Sequence, residues 1–220
     1  MDFEVAFQFL KKLAKNNNRE WFEKQKPHYL GIKGSFEEFV ATLLEEMILF
    51  DESLAGQDPK RLVFRIYRDV RFSKDKRPYK HNLSAAFSSE GKGMAKPGYY
   101  FHVEPGDKSF VGIGLYAPPA ENLAKVRQEI DYNGDRLIEI FKSKSFKKYF
   151  PDFWLEDSLK TMPKGYPKDH PHIRWLKLKS FIVTHPFTDK EVKDKKFFKQ
   201  LTSVLKEGKS LNDFLTDAIS

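Results

Sequence analysis

The first fifty positions carry apolar residues at helical spacing. Phe3, Ala6, Phe7, Leu10, Leu13 and Ala14 share one face behind Asp2, an acceptor suited to an N-cap, and so predict an amphipathic helix. Asn16-Asn17-Asn18 interrupts it. Asn18 can cap a short helix carrying Trp21 and Phe22 that ends near Pro27. A stronger helix follows, with Ile32, Phe36, Phe39, Val40, Leu43, Leu44, Met47 and Ile48 on one face, and Gly56 to Pro59 closes the region.

From Arg61 to Tyr116 the period falls to two. Leu62, Phe64, Ile66, Val70 and Phe72 alternate with Val63, Arg65, Tyr67, Asp69 and Arg71, which predicts a strand with an apolar and a polar face. Leu83 to Ser88 predicts a second strand, and Ser89 to Gly98 a mobile Gly/Lys loop. A hairpin follows, Tyr99 to Glu104 and Phe110 to Tyr116, joined by a turn at Pro105-Gly106-Asp107. If Tyr99, Phe101 and Val103 face the core opposite Leu115, Ile113 and Val111, then Glu104 opposes Phe110, His102 opposes Gly112 and Tyr100 opposes Gly114.

Pro118-Pro119 opens a helix with Leu123, Val126 and Ile130 inward, stopped by Asn133-Gly134, and Asp135 to about Tyr149 continues helical. Residues Pro151 to Pro171 are Pro-rich and irregular, and Leu178 to Val183 reads as a strand. Thr188-Asp189-Lys190-Glu191 is a capping box that opens a helix running to Gly208, with a short last helix from Ser210. The pattern predicts an α+β fold: one domain over residues 1–220, a central antiparallel sheet flanked by helices. Its parts are N-terminal helices over 1–58, the sheet over 60–117, and helices with the irregular Pro-rich segment over 118–220.

Composition narrows the chemistry. With 40% hydrophobic residues and 21 Phe, the chain can build an aromatic-rich core. It has no cysteine, which removes disulfides, thiolate metal sites and a Cys nucleophile. The start, MDFEVAFQFLKK, has no secretory pattern, and the longest apolar run, Met47 to Phe50, is far below the roughly 20 residues of a membrane span. A soluble, cytoplasmic protein with no membrane partner is expected.

Charge then singles out one place. Lys60 to Lys80 holds nine Lys or Arg against two Asp, which is +7 of the formal +8 of the whole chain. On the alternating pattern Arg65, Tyr67, Asp69 and Arg71 share a face, about 7 Å apart along it. Arg68 falls on the apolar face and needs a carboxylate or carbonyl partner. The following loop adds Lys74 and Lys76, with Lys80 beyond Pro78. Guanidinium groups held by a strand grip phosphate or carboxylate bidentately, and loop lysines add point charges. The competing reading is that Asp69, Asp75 and helix acids neutralise the arginines as structural ion pairs.

The hairpin adds a candidate pocket. Tyr100, His102 and Glu104 lie on its second face beside two glycines that contribute no side chains, and strand glycines often mark close approach of a ligand or a backbone. His102 over a glycine floor, near arginines, is the candidate general base, poised by Glu104 or Asp69. The alternative is a helix packed on the glycines, burying His102. The candidate ligand-binding set is therefore Arg65, Arg68, Asp69, Arg71, Lys74, Lys76, Lys80, Tyr100 and His102.

Asp169, His170 and His172 are a weaker candidate for metal binding, because the proline between the histidines splays them; a loop covering the polar face of the sheet is the better reading of that segment, and no metal or cofactor is expected. Ser73-Lys74-Asp75-Lys76 fits S-x-x-K without its companion motifs, and there is no P-loop, dinucleotide fingerprint or H-E-x-x-H. The expected partner is an anionic small molecule. The alternatives are nucleic acid held through its phosphates, with aromatic residues interleaved among the cations, and a structural domain with no small-molecule site.

Arg65-Ile66-Tyr67-Arg68-Asp69-Val70-Arg71-Phe72-Ser73-Lys74-Asp75-Lys76, with Pro78-Tyr79-Lys80, resembles the signature of the domain of unknown function 2461 family. Asn18-Arg19-Glu20-Trp21-Phe22, Gly98-Tyr99-Tyr100-Phe101-His102 and Pro163-Lys164-Gly165 to His170-Pro171 are similar to that family too, so the resemblance spans nearly the whole chain. It implies a single-domain, bacterial-type protein and carries over no activity, substrate or catalytic residue.

Overall fold

Side-chain caps set where the first helices begin in the computed structural model, which describes residues 1–93 and 95–220. Met94, in the Ser89–Gly98 loop expected to be mobile, lies outside the described residues. The Asp2 carboxylate accepts from the N–H of Glu4 (2.9 Å) and Val5 (3.2 Å) to start α1 (Phe3–Lys15). Asn18 accepts from the Trp21 N–H at 3.0 Å to start α2. Here the structure corrects the sequence reading: α2 is one helix, Arg19–Ile48, that runs through Pro27. Pro27 is exposed, so the carbonyl it leaves without a donor faces water, and the cost expected of a buried break is not incurred.

After a 3-10 turn at Glu52–Leu54 and the single-turn helix α3 (Pro59–Leu62), the sheet is built from β1 (Leu83–Ser88), β2 (Gly98–Val103), β3 (Ser109–Leu115) and β4 (Phe181–Phe187). They lie in the order β1-β2-β3-β4, antiparallel throughout. β4 begins three residues later than expected and extends past Val183. Pro186 is tolerated because β4 is an edge strand.

The hairpin register also differs from expectation, by two residues. Tyr99 opposes Ile113, Phe101 opposes Val111, Tyr100 opposes Gly112 and His102 opposes Phe110. The turn supplies the reason. Gly106 (φ 93°) and Asp107 (φ 59°) both adopt the left-handed region, centring the loop one residue earlier than a Pro-Gly-Asp turn closed by Glu104 and Phe110. Ser109 Oγ then bonds both the N–H and the C=O of Glu104 at 3.1 Å, in place of a further ladder pair. Because the shift is even, each side chain keeps its face.

The helices after β3 are α4 (Ala120–Lys142), α5 (Lys144–Tyr149), α6 (Ile173–Leu176), α7 (Asp189–Lys193), α8 (Phe197–Glu207) and α9 (Lys209–Ile219). The break expected at Asn133-Gly134 is a kink within α4, with Asn133 at φ −125°, ψ 28°. The capping box at Thr188 and Glu191 forms. Its helix stops at Lys193, short of the expected Gly208, because Asp194 turns extended and its side chain accepts from the Lys196 N–H, preceding α8. One face of the sheet is sealed: Phe101 is fully buried against Phe36, Phe39 and Phe197, at centroid distances of 6.2, 5.9 and 6.1 Å. The result is one α+β domain with its helical layer on the inner face, leaving the other face to be covered by loops. Among the described residues no helix is long and apolar enough to cross a membrane.

Candidate functional site

The basic stretch is not a strand, which corrects the reading from alternation. After α3 the chain touches β1 only briefly, through a bridge from Val63 to Ala85 and the Phe64 N–H donating to the Ser84 carbonyl (2.9 Å). It then folds back on itself as an arm: Tyr67 bridges Tyr79, Arg68 N–H donates to Pro78 O (2.9 Å) and Lys80 N–H to Ile66 O (2.7 Å). The two aspartates bend the arm. Asp69 accepts from the backbone and guanidinium of Arg71, and Asp75 does the same for Arg77. Such Asx turns compete with a ladder.

These pairs use up much of the charge. Arg68 finds the partners its position demanded, Asp75 at 2.7 Å and the Arg77 carbonyl at 3.1 Å. Arg77, then Arg68, hold the Asp75 carboxyl well below the usual range. Lys76 donates to the Val70 carbonyl, and Lys74 is exposed. Phe72, expected on the core face, is 96% exposed at the tip of the arm, because the chain leaves the sheet before reaching it. Arg68, Asp69, Arg71, Lys74 and Lys76 therefore stand away from the sheet, in the arm.

The outer face of the sheet holds a cavity of about 690 Å³. Its floor is Tyr100, Gly112, Gly114, Ile182 and Thr184; Phe64, Phe110, Trp154, Tyr116 and Pro186 wall it, and Lys80, Lys92 and Lys96 line it as well. The two glycines differ in cause. Gly114 has φ +127°, and a Cβ there would lie 2.0 Å from the Phe181 carbonyl oxygen, so the backbone requires glycine. At Gly112 the nearest atoms to an added Cβ are Tyr100 Cβ at 3.9 Å and Phe110 Cε2 at 4.0 Å, so this glycine keeps the floor low.

A smaller cleft of about 310 Å³ adjoins the cavity, lined by Lys33, Glu37, Lys60, Val63, Phe64, Arg65, Lys80 and Lys92. Phe64, Lys80 and Lys92 belong to both. Lys80 and Lys92 both sit over the Phe64 ring of the shared wall, 5.1 and 5.5 Å from its centroid. Lys33 pairs with Glu37. Lys60, Arg65, Lys80, Lys92 and Lys96 make no ion pair among the described residues. Burial, with Arg65 and Lys92 nearby, holds Lys80 below the usual lysine range.

Beside the floor, along the same face of the sheet, runs a hydrogen-bonded chain. Glu104 Oε2 is 3.0 Å from His102 Nε2, and His102 Nδ1 is 3.0 Å from the Tyr100 hydroxyl. An ionised Glu104 accepts, so Nε2 carries the proton and Nδ1 accepts from Tyr100. Glu104 Oε1 reaches His81 Nδ1 at 3.4 Å and Lys108 Nζ at 3.6 Å. Burial pushes the His102 imidazole below its ordinary value, against Glu104, and pushes the Tyr100 phenol up. Phe110 stacks on His102 at 4.8 Å, so Tyr100, not His102, reaches the cavity.

Of the sequence-picked residues, the structure thus brings Lys80 and Tyr100 to the cavity, Arg65 to the cleft and His102 beside Tyr100. The sequence reading missed Lys60, Lys92, Lys96, Phe64 and His81. Lys92 and Lys96 were visible as cations in a Gly/Lys loop, and nothing local said where that loop returns. The His170 segment is structural in this geometry: Nε2 is 2.8 Å from Asp131 Oδ1, Nδ1 accepts from the His172 N–H at 3.0 Å, and the His172 ring stacks on Trp175. Elsewhere, the Tyr99 hydroxyl donates to the buried Asp51 carboxylate at 2.8 Å.

The family model described as Conserved hypothetical protein (DUF2461) matches residues 5–214. No curated protein and no solved structure matches the chain.

Proposed function

Because the chain belongs to the Conserved hypothetical protein (DUF2461) family, and membership brings no activity with it, we propose a function from the cavity: binding a small molecule with an apolar or aromatic body and a phosphate or carboxylate group. The body fits the cavity over Gly112, between Phe64, Phe110 and Trp154. The anion fits the adjoining cleft among Lys60, Arg65, Lys80 and Lys92.

One observation carries the reading: half-buried Lys80 stands on the wall shared by the two spaces, without a carboxylate and beside other cations. An uncompensated buried charge costs stability, and an anion arriving there recovers it. Burial also raises the local strength of such an ion pair. The arm's own arginines are satisfied internally, so the anion site belongs to the lysines and Arg65.

The test is a thermal-shift and calorimetric series with inorganic phosphate, phenyl phosphate, naphthyl phosphate, benzoate and nucleoside monophosphates, each at two salt concentrations. Aryl phosphates should stabilise the protein more than inorganic phosphate or the uncharged alcohols, and Lys80→Met should remove the effect. Equal response to phenol and phenyl phosphate sinks the proposal.

The exposed Phe72 favours a second use of the arm, as a stacking point for nucleic acid held through phosphates. Oligonucleotide affinity would then fall steeply with salt and drop in Phe72→Ala.

A further inference from the structure

We propose that the Tyr100 hydroxyl is the acid–base group of the cavity, and that His102, Glu104 and His81 form the path by which its proton exchanges with solvent. The inference rests on the cavity being a ligand site, and it adds a chemical role: proton transfer to or from a bound molecule. Two hydrogen bonds, 3.0 Å from Tyr100 to His102 and 3.0 Å on to Glu104, lead to a carboxylate whose other oxygen lies 3.4 Å from His81 at ion-pair distance. The path starts at a residue of the cavity floor and ends at a half-exposed imidazole.

The geometry favours this over a purely structural role. The His102 and Glu104 side chains are only 12% and 13% exposed, and a polar pair taken out of water to such depth is a weak source of stability compared with apolar side chains of similar shape. Each ring nitrogen of His102 is committed to one partner, which fixes the tautomer needed to accept a proton from Tyr100. Phe110 covers the imidazole, so His102 acts only through Tyr100 and is a positioning residue. The charged groups facing the chain are Lys80 and His81 beside His102, and His81 and Lys108 beside Glu104. A cation near the cavity floor favours the phenolate that forms as the proton leaves.

A sulfonyl fluoride tests the relay without knowledge of the substrate. The Tyr100 oxygen attacks sulfur, the S–F bond breaks, fluoride leaves and the phenol proton passes to His102 Nδ1. The probes are neutral benzenesulfonyl fluoride and anionic 4-(fluorosulfonyl)benzoate, with rates followed by intact mass and peptide mapping across pH about 5 to 9. With the neutral probe, Tyr100 should react about tenfold or more faster than Tyr132, which is 72% exposed and serves as the internal reference. The rate should climb as His102 loses its proton and then level off. In Tyr100→Phe the label vanishes. In His102→Gln the rate should fall about tenfold and lose its plateau, rising only as the phenol itself ionises. Glu104→Gln should also slow the reaction, which covers the case that His102→Gln does not fold.

Labelling of Tyr100 by the neutral probe no faster than Tyr132 overturns the relay. The anionic probe reports on the binding proposal separately: it should react faster than the neutral one, by a ratio that falls in Lys80→Met. Equal rates for the two probes, with Tyr100 still fast, would refute the anion site and leave the relay standing.

Discussion

Two glycines on one strand face, two residues apart, should respond to the same substitution with opposite sign. At Gly112 an added Cβ meets nothing closer than 3.9 Å, and its backbone lies outside the left-handed region. Gly112→Ala removes unfolded-state freedom at a site that accepts a side chain, so stability should rise by about 0.4–1 kcal/mol. For a domain of this size that is a melting temperature higher by about 1–4 °C. At Gly114 the φ of +127° is strained for any L side chain, and the Cβ would overlap the Phe181 carbonyl oxygen at 2.0 Å. That oxygen belongs to a strand backbone and cannot retreat without opening the β3–β4 ladder. Strain alone is about 1–3 kcal/mol. With the ladder disturbed, Gly114→Ala should cost about 3 kcal/mol or more, a melting temperature lower by at least about 6 °C. Urea titration and calorimetry on both variants measure this. A loss of over about 1 kcal/mol in Gly112→Ala would mean the floor is packed against something and the cavity is not open there. Gly112→Val, which reaches further into the space, should keep the fold while weakening phenyl phosphate binding about tenfold, or about 1.4 kcal/mol.

Three further outcomes follow from the same contacts. Lys80→Met should leave the unliganded protein as stable or slightly more so, since it removes a half-buried cation crowded by Arg65 and Lys92, while abolishing stabilisation by phenyl phosphate; Arg71→Ala, in the arm and paired with Asp69, should keep that stabilisation, as thermal shifts will read. Tyr99→Phe leaves the buried Asp51 carboxylate (5% exposed) with Ser53 as its remaining side-chain partner, and denaturant titration should register a loss of about 1.5–3 kcal/mol. Burial holds His102 and His185 below the ordinary value of 6.5, so the unfolded chain binds more protons there in mild acid. Their contribution is fully present above pH 6.5 and is lost as pH falls toward the folded-state values. Unfolding midpoints at a series of pH values should show this, with a shallower slope in His102→Gln.

Local chemistry wrote much of this protein into its sequence. Asp2, Asn18 and Thr188 mark helix starts because a short acceptor beside unpaired N–H groups acts within one turn. Leu83 to Ser88 and the hairpin are legible from alternation, and the even register shift left every side chain on its expected face. The need of Arg68 for a carboxylate or carbonyl was also a local inference, since charge on an apolar face must be paired.

What lay beyond the sequence depends on distance across the fold. Alternation in Arg61–Phe72 reads like a strand, yet a strand needs a partner along its length, and Asp69 and Asp75 offered the backbone and arginines nearer ones. That choice exposes Phe72, takes Arg71 and Arg77 out of contention and leaves Lys80 and Arg65 beside the cavity. Lys92 and Lys96 join them only because the fold brings both to the lining of the cavity on the outer face of the sheet. Gly112 and Gly114 look identical in the sequence; only packing against β4 makes one obligatory and the other an open floor. Fold class, helix caps and the sign of the charge were all readable from the linear order of residues. Tertiary structure decided which cations remain unpaired and where they converge, because pairing energies depend on neighbours that the linear order does not name.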